Sequence, residues 1–169
     1  MSANNQIPDD FFNNSLMLFA ATYAPMGWLY CEGQLLQCEY LQDLFKILGT
    51  TYGGDGITNF GLPDLTDSEK ELGGVRYTIF AQGKIFEFYN SDFIATVLPT
   101  LESLESDDWK FCNGQLLPIS DYIGLYSICG IKYGGNGIDN FALPDLREVG
   151  AKINTKYMIC VKGLFPTRW

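Results

Sequence analysis

Leu41, Leu44, Phe45 and Leu48 stand at i, i+3, i+4 and i+7, and Gly49 follows them. That spacing is one apolar face of a helix, so it predicts a short amphipathic helix closed by a glycine in a left-handed cap. Elsewhere in this stretch the period is two. "MLFAATYAP" (17–25) predicts a strand ending in a Pro-Met-Gly turn, and "WLYC" (28–31) predicts a strand that stops at a Glu-Gly turn before "QLL" resumes. "YTIFAQ" (77–82) predicts a closing strand. A helix with one apolar face needs a partner, and these flanking strands supply it.

The whole pattern is then written again. "WLYCEGQLL" (28–36) returns as "WKFCNGQLL" (109–117), and "YGGDGITNFGLPDL" (52–65) returns as "YGGNGIDNFALPDL" (133–146), each displaced by 81 residues. Tyr122, Leu125, Tyr126 and Cys129 repeat the helix face, Gly130 repeats its closing glycine, and Ser120 is placed to cap its start. "YTIFAQGKIF" (77–86) pairs with "YMICVKGLF" (157–165). The chain is therefore read as a tandem duplication of a unit of about 75 residues.

The fold class is α+β, with two small modules, each mostly short strands with one short helix and glycine-rich loops. The expected organisation is an N-terminal arm at 1–15, a first module at 16–86, a connection at 87–92 and a second module at 93–169. The second module has the longer entry, because "TLESLESDD" (100–108) is inserted before its tryptophan. That segment is acidic and reads as a solvated loop.

Composition narrows the function. The formal net charge is −9, with −6 on residues 1–86 and −3 on residues 87–169. Binding to nucleic acid rests on Lys and Arg neutralising phosphates, so a nucleic-acid partner is not expected. The chain has no histidine, which removes the imidazole base and the imidazole metal ligand. Its five cysteines include no CxxC pair and read as buried thiols. The start "MSANNQIPDD" lacks a basic segment followed by an apolar one, and the apolar runs are short. A soluble chain made in the cytosol, without membrane insertion, is the expectation.

The glycine-rich sentence invites a phosphate or a metal. It lacks the Lys and Ser/Thr of a phosphate loop, and it follows a helix instead of opening one. The structural reading is a turn in which Tyr52, Gly53, Gly54 and Gly56, and their twins Tyr133, Gly134, Gly135 and Gly137, lead into the extended exits Pro63-Asp64 and Pro144-Asp145. The other reading is calcium, with Asp55 and Asp64 as hard-oxygen ligands beside backbone carbonyls; Asn136 replaces Asp55 in the second copy. Glu32 with Asp64 is the carboxylate pair to consider for acid–base work, although Glu32 becomes Asn113. Cys31 and Gly33, with Cys112 and Gly114, belong to the structural motif. Trp28 and Trp109 are either core anchors or platforms on which a sugar stacks.

Together "WxxCxGQLL", a helix ending in glycine, "YGGxG", "FxLPDL" and a strand followed by "GxxF" or "GxF" resemble the phage tail collar domain family, which includes the microcystin-dependent proteins. The resemblance runs from about Met17 to the end of the chain, twice. It departs from the family in carrying two copies, in losing the Ala-Pro-x-Gly-Trp entry before Trp109, and in shortening the basic stretch after "LPDL" to "TDSEKELGG" and "REVGAKINT". The resemblance implies a structural or adhesive component of a tail fibre or similar extracellular assembly, and the expectation is a non-enzymatic subunit of a tail fibre or extracellular filament that associates with copies of itself and needs no cofactor beyond the calcium weighed above. The alternative it implies is an adhesin that binds a cell-surface glycan at a fibre tip.

Overall fold

The first repeat folds as β1 (Leu16–Phe19), β2 (Trp28–Tyr30), β3 (Leu35–Gln37), α1 (Gln42–Leu48), β4 (Asn59–Gly61), α2 (Thr66–Glu69) and β5 (Arg76–Phe80). The second folds as β6 (Thr96–Thr100), β7 (Trp109–Phe111), β8 (Leu116–Pro118), α3 (Ile123–Cys129), β9 (Asn140–Ala142), α4 (Arg147–Lys152) and β10 (Lys156–Cys160). This computed structural model describes residues 16–82, 93–101 and 103–166. The expected arm at 1–15 and connection at 87–92 lie outside the described residues.

The two repeats share one antiparallel sheet, in the order β2-β5-β1-β6-β10-β7. Its centre is β1 against β6, with Leu18 opposite Val97 and Phe19 opposite Thr96. Equivalent strands keep equivalent partners: Leu16 faces Ile79 as Val97 faces Ile159, and Trp28 faces Phe80 as Trp109 faces Cys160. The strands are thus related by a local two-fold between β1 and β6. Each repeat adds a small hairpin, Leu36 opposite Phe60 in β3–β4 and Leu117 opposite Phe141 in β8–β9.

The predicted helix faces pack inward, with Leu44 and Leu125 fully buried. Four local expectations change. Ser120 does not cap α3; it sits in a 3-10 turn at Ile119–Asp121 and donates to Asp121 Oδ1, while Tyr122 occupies the cap position without a side-chain bond. Gly49 and Gly130 do have positive φ (55° in both), but their ψ values of −136° and −139° lie outside the left-handed helical region. Each repeat also has a second short helix, α2 or α4, directly after "LPDL". The acidic segment 100–108 is more than a solvated loop. Thr100 completes β6, and Glu105 folds back to accept from Phe111 N (2.7 Å) and Gln115 Nε2 (2.7 Å).

Packing breaks the symmetry that the sheet keeps. One core cluster holds only first-repeat residues, around Cys31, Leu44, Phe60 and Ile79. The larger one crosses the seam, joining Phe19, Ala20, Ala21, Leu72 and Val75 to Leu125, Ile128, Phe141 and Ile159. There α3 and the loop after it sit on the first repeat. Tyr133 Oη donates to Ala20 O (2.7 Å), Thr22 Oγ1 donates to Ile128 O (3.3 Å), and Lys132 Nζ donates to Gly74 O (2.6 Å) and Ala21 O (3.3 Å). Partial burial of Lys132 lowers its pKa, and the two carbonyls compensate for the water it loses.

Candidate functional site

The glycine-rich loops are closed on themselves. Gly53 N donates to Thr50 O, Gly61 N to Gly53 O and Gly56 N to Asn59 O, and the second repeat repeats all three with Gly134, Ala142 and Gly137. Asp55 is the hub. Its Oδ1 accepts from Ile57 N (2.8 Å), Thr58 N (2.7 Å) and Asn59 N (3.0 Å), and its Oδ2 accepts from Thr58 Oγ1 (2.6 Å). These donors hold the Asp55 carboxyl well below the usual carboxylate range, the Thr58 hydroxyl contributing most. Asn136 does the same work with one oxygen, accepting from Ile138 N (2.9 Å), Asp139 N (2.9 Å) and Asn140 N (3.1 Å).

Asp64 is engaged separately, accepting from Thr66 N (3.1 Å) and Thr66 Oγ1 (2.6 Å). Asp145 pairs instead with the Arg147 guanidinium (2.9 and 2.5 Å). Asp55 and Asp64, the calcium candidates, therefore each face their own backbone. Among the described residues no group of three or more Cys, Asp or Glu side chains converges. Gly33 and Gly114 lie against the Cβ atoms of Asp64 and Asp145, where an added Cβ would come within 3.1 and 3.4 Å.

A pH-dependent prediction follows from Asp55. A carboxyl depressed in the fold stabilises it above the unfolded carboxyl pKa of about 4, and the contribution is lost as the pH falls. Asp55→Asn should keep the loop, as Asn136 does, and should flatten the acid limb of stability; Asp55→Ala should lower the melting temperature at pH 7. Thermal melts between pH 2 and 7 check this. An Asp55→Asn protein as weakened at pH 7 as Asp55→Ala would refute it.

The aromatic and thiol positions of the motif line the sheet. Trp28 is half-buried edge-on to Phe80 (centroids 5.4 Å apart, planes at 70°), and its Nε1 is buried without a hydrogen-bond partner. Trp109 meets Cys160 at the matching place and borders a pocket of about 340 Å³ with Leu98, Leu104 and Met158. All five cysteines are buried and carry thiols, not disulfides. Burial pushes Cys31 and Cys129 up to about 12 and Cys112 higher still, so none of these three is a thiolate nucleophile near neutral pH.

Glu32 and Asp64 do come together, through an isolated antiparallel bridge that Asn113 and Asp145 repeat. Their carboxylates then part. Glu32 binds the Arg76 guanidinium, which also takes Glu69 Oε2 (3.1 Å) and lies 3.8 Å over the Tyr30 ring. Glu69 Oε1 accepts from Tyr77 N (2.8 Å). Glu32 and Asp64 are thus held in separate contacts, not poised as an acid–base pair. Arg76 and Glu69 were missed from sequence because each stands alone, outside any motif; only their replacement by Lys156 and Gly150 in the second repeat singles them out.

The family model for the phage tail collar domain matches the chain over residues 14–69 and 95–149. No curated protein and no solved structure matches it. The matched segments cover most of the chain, each holding one tryptophan strand, the amphipathic helix and one glycine-rich loop. The chain belongs to the phage tail collar domain family, a family of structural tail-fibre domains, and carries the domain twice in tandem.

Proposed function

We propose that the protein is a non-enzymatic structural subunit of a tail fibre or related filament, and that it associates with further copies of itself through the face of α1 and the loop that follows. One observation carries this reading. The helix-and-loop face of the second repeat is covered by the first repeat, whereas the matching face of the first repeat is open. Ile128 is 1% exposed and its twin Ile47 is 42% exposed. Tyr133 bonds Ala20, while its twin Tyr52 is 48% exposed. An open apolar face whose duplicate is in use is the surface on which another copy can dock. A contact between unlike faces of successive copies need not close, and builds a filament when it does not.

The test is the double variant Ile47→Asp, Tyr52→Ser. Wild-type protein is expected to exceed the 18.9 kDa chain mass in light scattering and to show multimers in negative stain. The variant is expected to fall to the single-chain mass with an unchanged circular dichroism spectrum. A wild type that stays at single-chain mass at every concentration would overturn the proposal, and so would a variant that assembles normally. Deletion of residues 1–12 tests the N-terminal segment as a separate contributor to assembly.

A further inference from the structure

We propose that the cleft between β7, β10 and α4 in the second repeat binds the carboxylate of an acidic saccharide. The first repeat is the internal control. There the matching space is shut by an ionic lid, with Arg76 stacked on Tyr30 between Glu32 and Glu69, and with Glu69 also taking the Tyr77 N–H.

In the second repeat every acid of the lid is gone. Asn113 stands for Glu32, Gly150 for Glu69, Lys156 for Arg76 and Phe111 for Tyr30. Lys156 Nζ lies 4.9 Å over the Phe111 ring and, among the described residues, has no carboxylate within ion-pair distance. A Cβ on Gly150 would come 2.5 Å from Thr155 O, so the backbone leaves no room for a side chain there. What remains is a cavity of about 290 Å³ lined by Phe111, Asn113, Arg147, Lys156 and Tyr157.

The donors that Glu69 satisfies in the first repeat persist. Tyr157 O accepts from Cys112 N (2.9 Å), as Tyr77 O accepts from Cys31 N (3.1 Å). In an antiparallel ladder the N–H and C=O of one residue point the same way, so the Tyr157 N–H is directed toward the cleft as the Tyr77 N–H is directed at Glu69. A ligand carboxylate placed where Glu69 stands would take this N–H and the Lys156 ammonium together.

The remaining walls select a sugar ring. Phe111 offers an aromatic face, and the Asn113 amide stands ready for hydroxyls, its Oδ1 already accepting from Gln115 N (3.0 Å). The volume lies at the lower edge of small-molecule pockets, which suits one ring and not an extended peptide. The chain's net charge of −9 disfavours long polyanions and leaves a single acidic residue as the fit. This site needs no self-association and stands or falls without it.

The experiment is an amide NMR titration of the full chain with glucuronate, alongside methyl glucoside, acetate and a blocked acidic tetrapeptide. Glucuronate is expected to shift the amides of Phe111, Gly150, Lys156 and Tyr157 saturably, and to leave those of Tyr30, Arg76 and Tyr77 in place. Lys156→Met is expected to weaken binding at least tenfold. Asn113→Glu, which restores the lid's carboxylate beside Lys156, is expected to abolish it. The proposal is overturned if glucuronate gives no saturable shift, if acetate or the tetrapeptide matches it, or if Lys156→Met binds like wild type.

Discussion

Phe141→Ala is expected to cost about 3–5 kcal/mol of stability and to unfold both repeats together. Phe141 is fully buried, stacks near Tyr126 (centroids 5.5 Å apart) and faces Leu117 across the β8–β9 hairpin. Its cluster includes Phe19, Ala20, Ala21, Leu72 and Val75 from the first repeat. Removing the ring therefore opens a cavity whose walls belong to both halves. For a chain of this size the loss corresponds to a fall of roughly 6–20 °C in melting temperature. Tryptophan fluorescence reads the two halves separately: one variant keeps only Trp28, another only Trp109. Both reporters should give one denaturant midpoint, lowered equally by Phe141→Ala. A Trp28 midpoint that stays at its wild-type value while that of Trp109 falls would mean the seam does not couple the repeats.

The coupling is what local sequence pattern could not reveal. The strands, both amphipathic helices and the duplication were legible because each leaves a periodic or self-similar trace over several residues. Ile47 and Ile128 occupy the same motif position with the same side chain, yet one is open and the other buried. The packing of α3 and its loop on the first repeat separates them, through contacts between residues more than 100 apart in sequence, and no local motif states that partner. The helices α2 and α4 were missed for a different reason. They run to 4 and 6 residues, too short to show a helical period. Glu105 looked like one more solvated acid because its acceptors' partners, Phe111 N and Gln115 Nε2, are fixed only once β7 ends where it does.

The candidate site shows the same division. Glu32, Asp55 and Asp64 could be picked out as carboxylates of interest, but not what each would face. Asp55, at the surface, is taken up by its own loop because three backbone N–H groups converge on it. Glu32 turned to Arg76, across a strand pairing that no motif spells out. The second-repeat cleft is visible only by comparing the copies, since it is defined by acids that are missing.

Gly54→Ala and Gly135→Ala should each cost roughly 2–5 kcal/mol, combining about 1–2 for a left-handed backbone with about 1–3 for overpacking. Their φ angles are +95° and +96°. A Cβ would lie 2.5 Å from Phe60 Cα and 2.6 Å from Asn59 O in the first loop, and 2.5 Å from Phe141 Cα and 2.8 Å from Asn140 O in the second. These neighbours are backbone and cannot swing aside. The alanine would also push on Phe60 or Phe141, so the strain reaches a fully buried ring in each repeat. Gly53 separates the two causes. Its φ is +108°, but an added Cβ meets nothing within 4 Å, so Gly53→Ala should cost only the backbone share, about 1–2 kcal/mol. Urea denaturation of the three variants measures the difference. If Gly54→Ala costs no more than Gly53→Ala, the loop yields to the added methyl, and its glycines then serve backbone conformation alone and not close packing against Asn59 and Phe60.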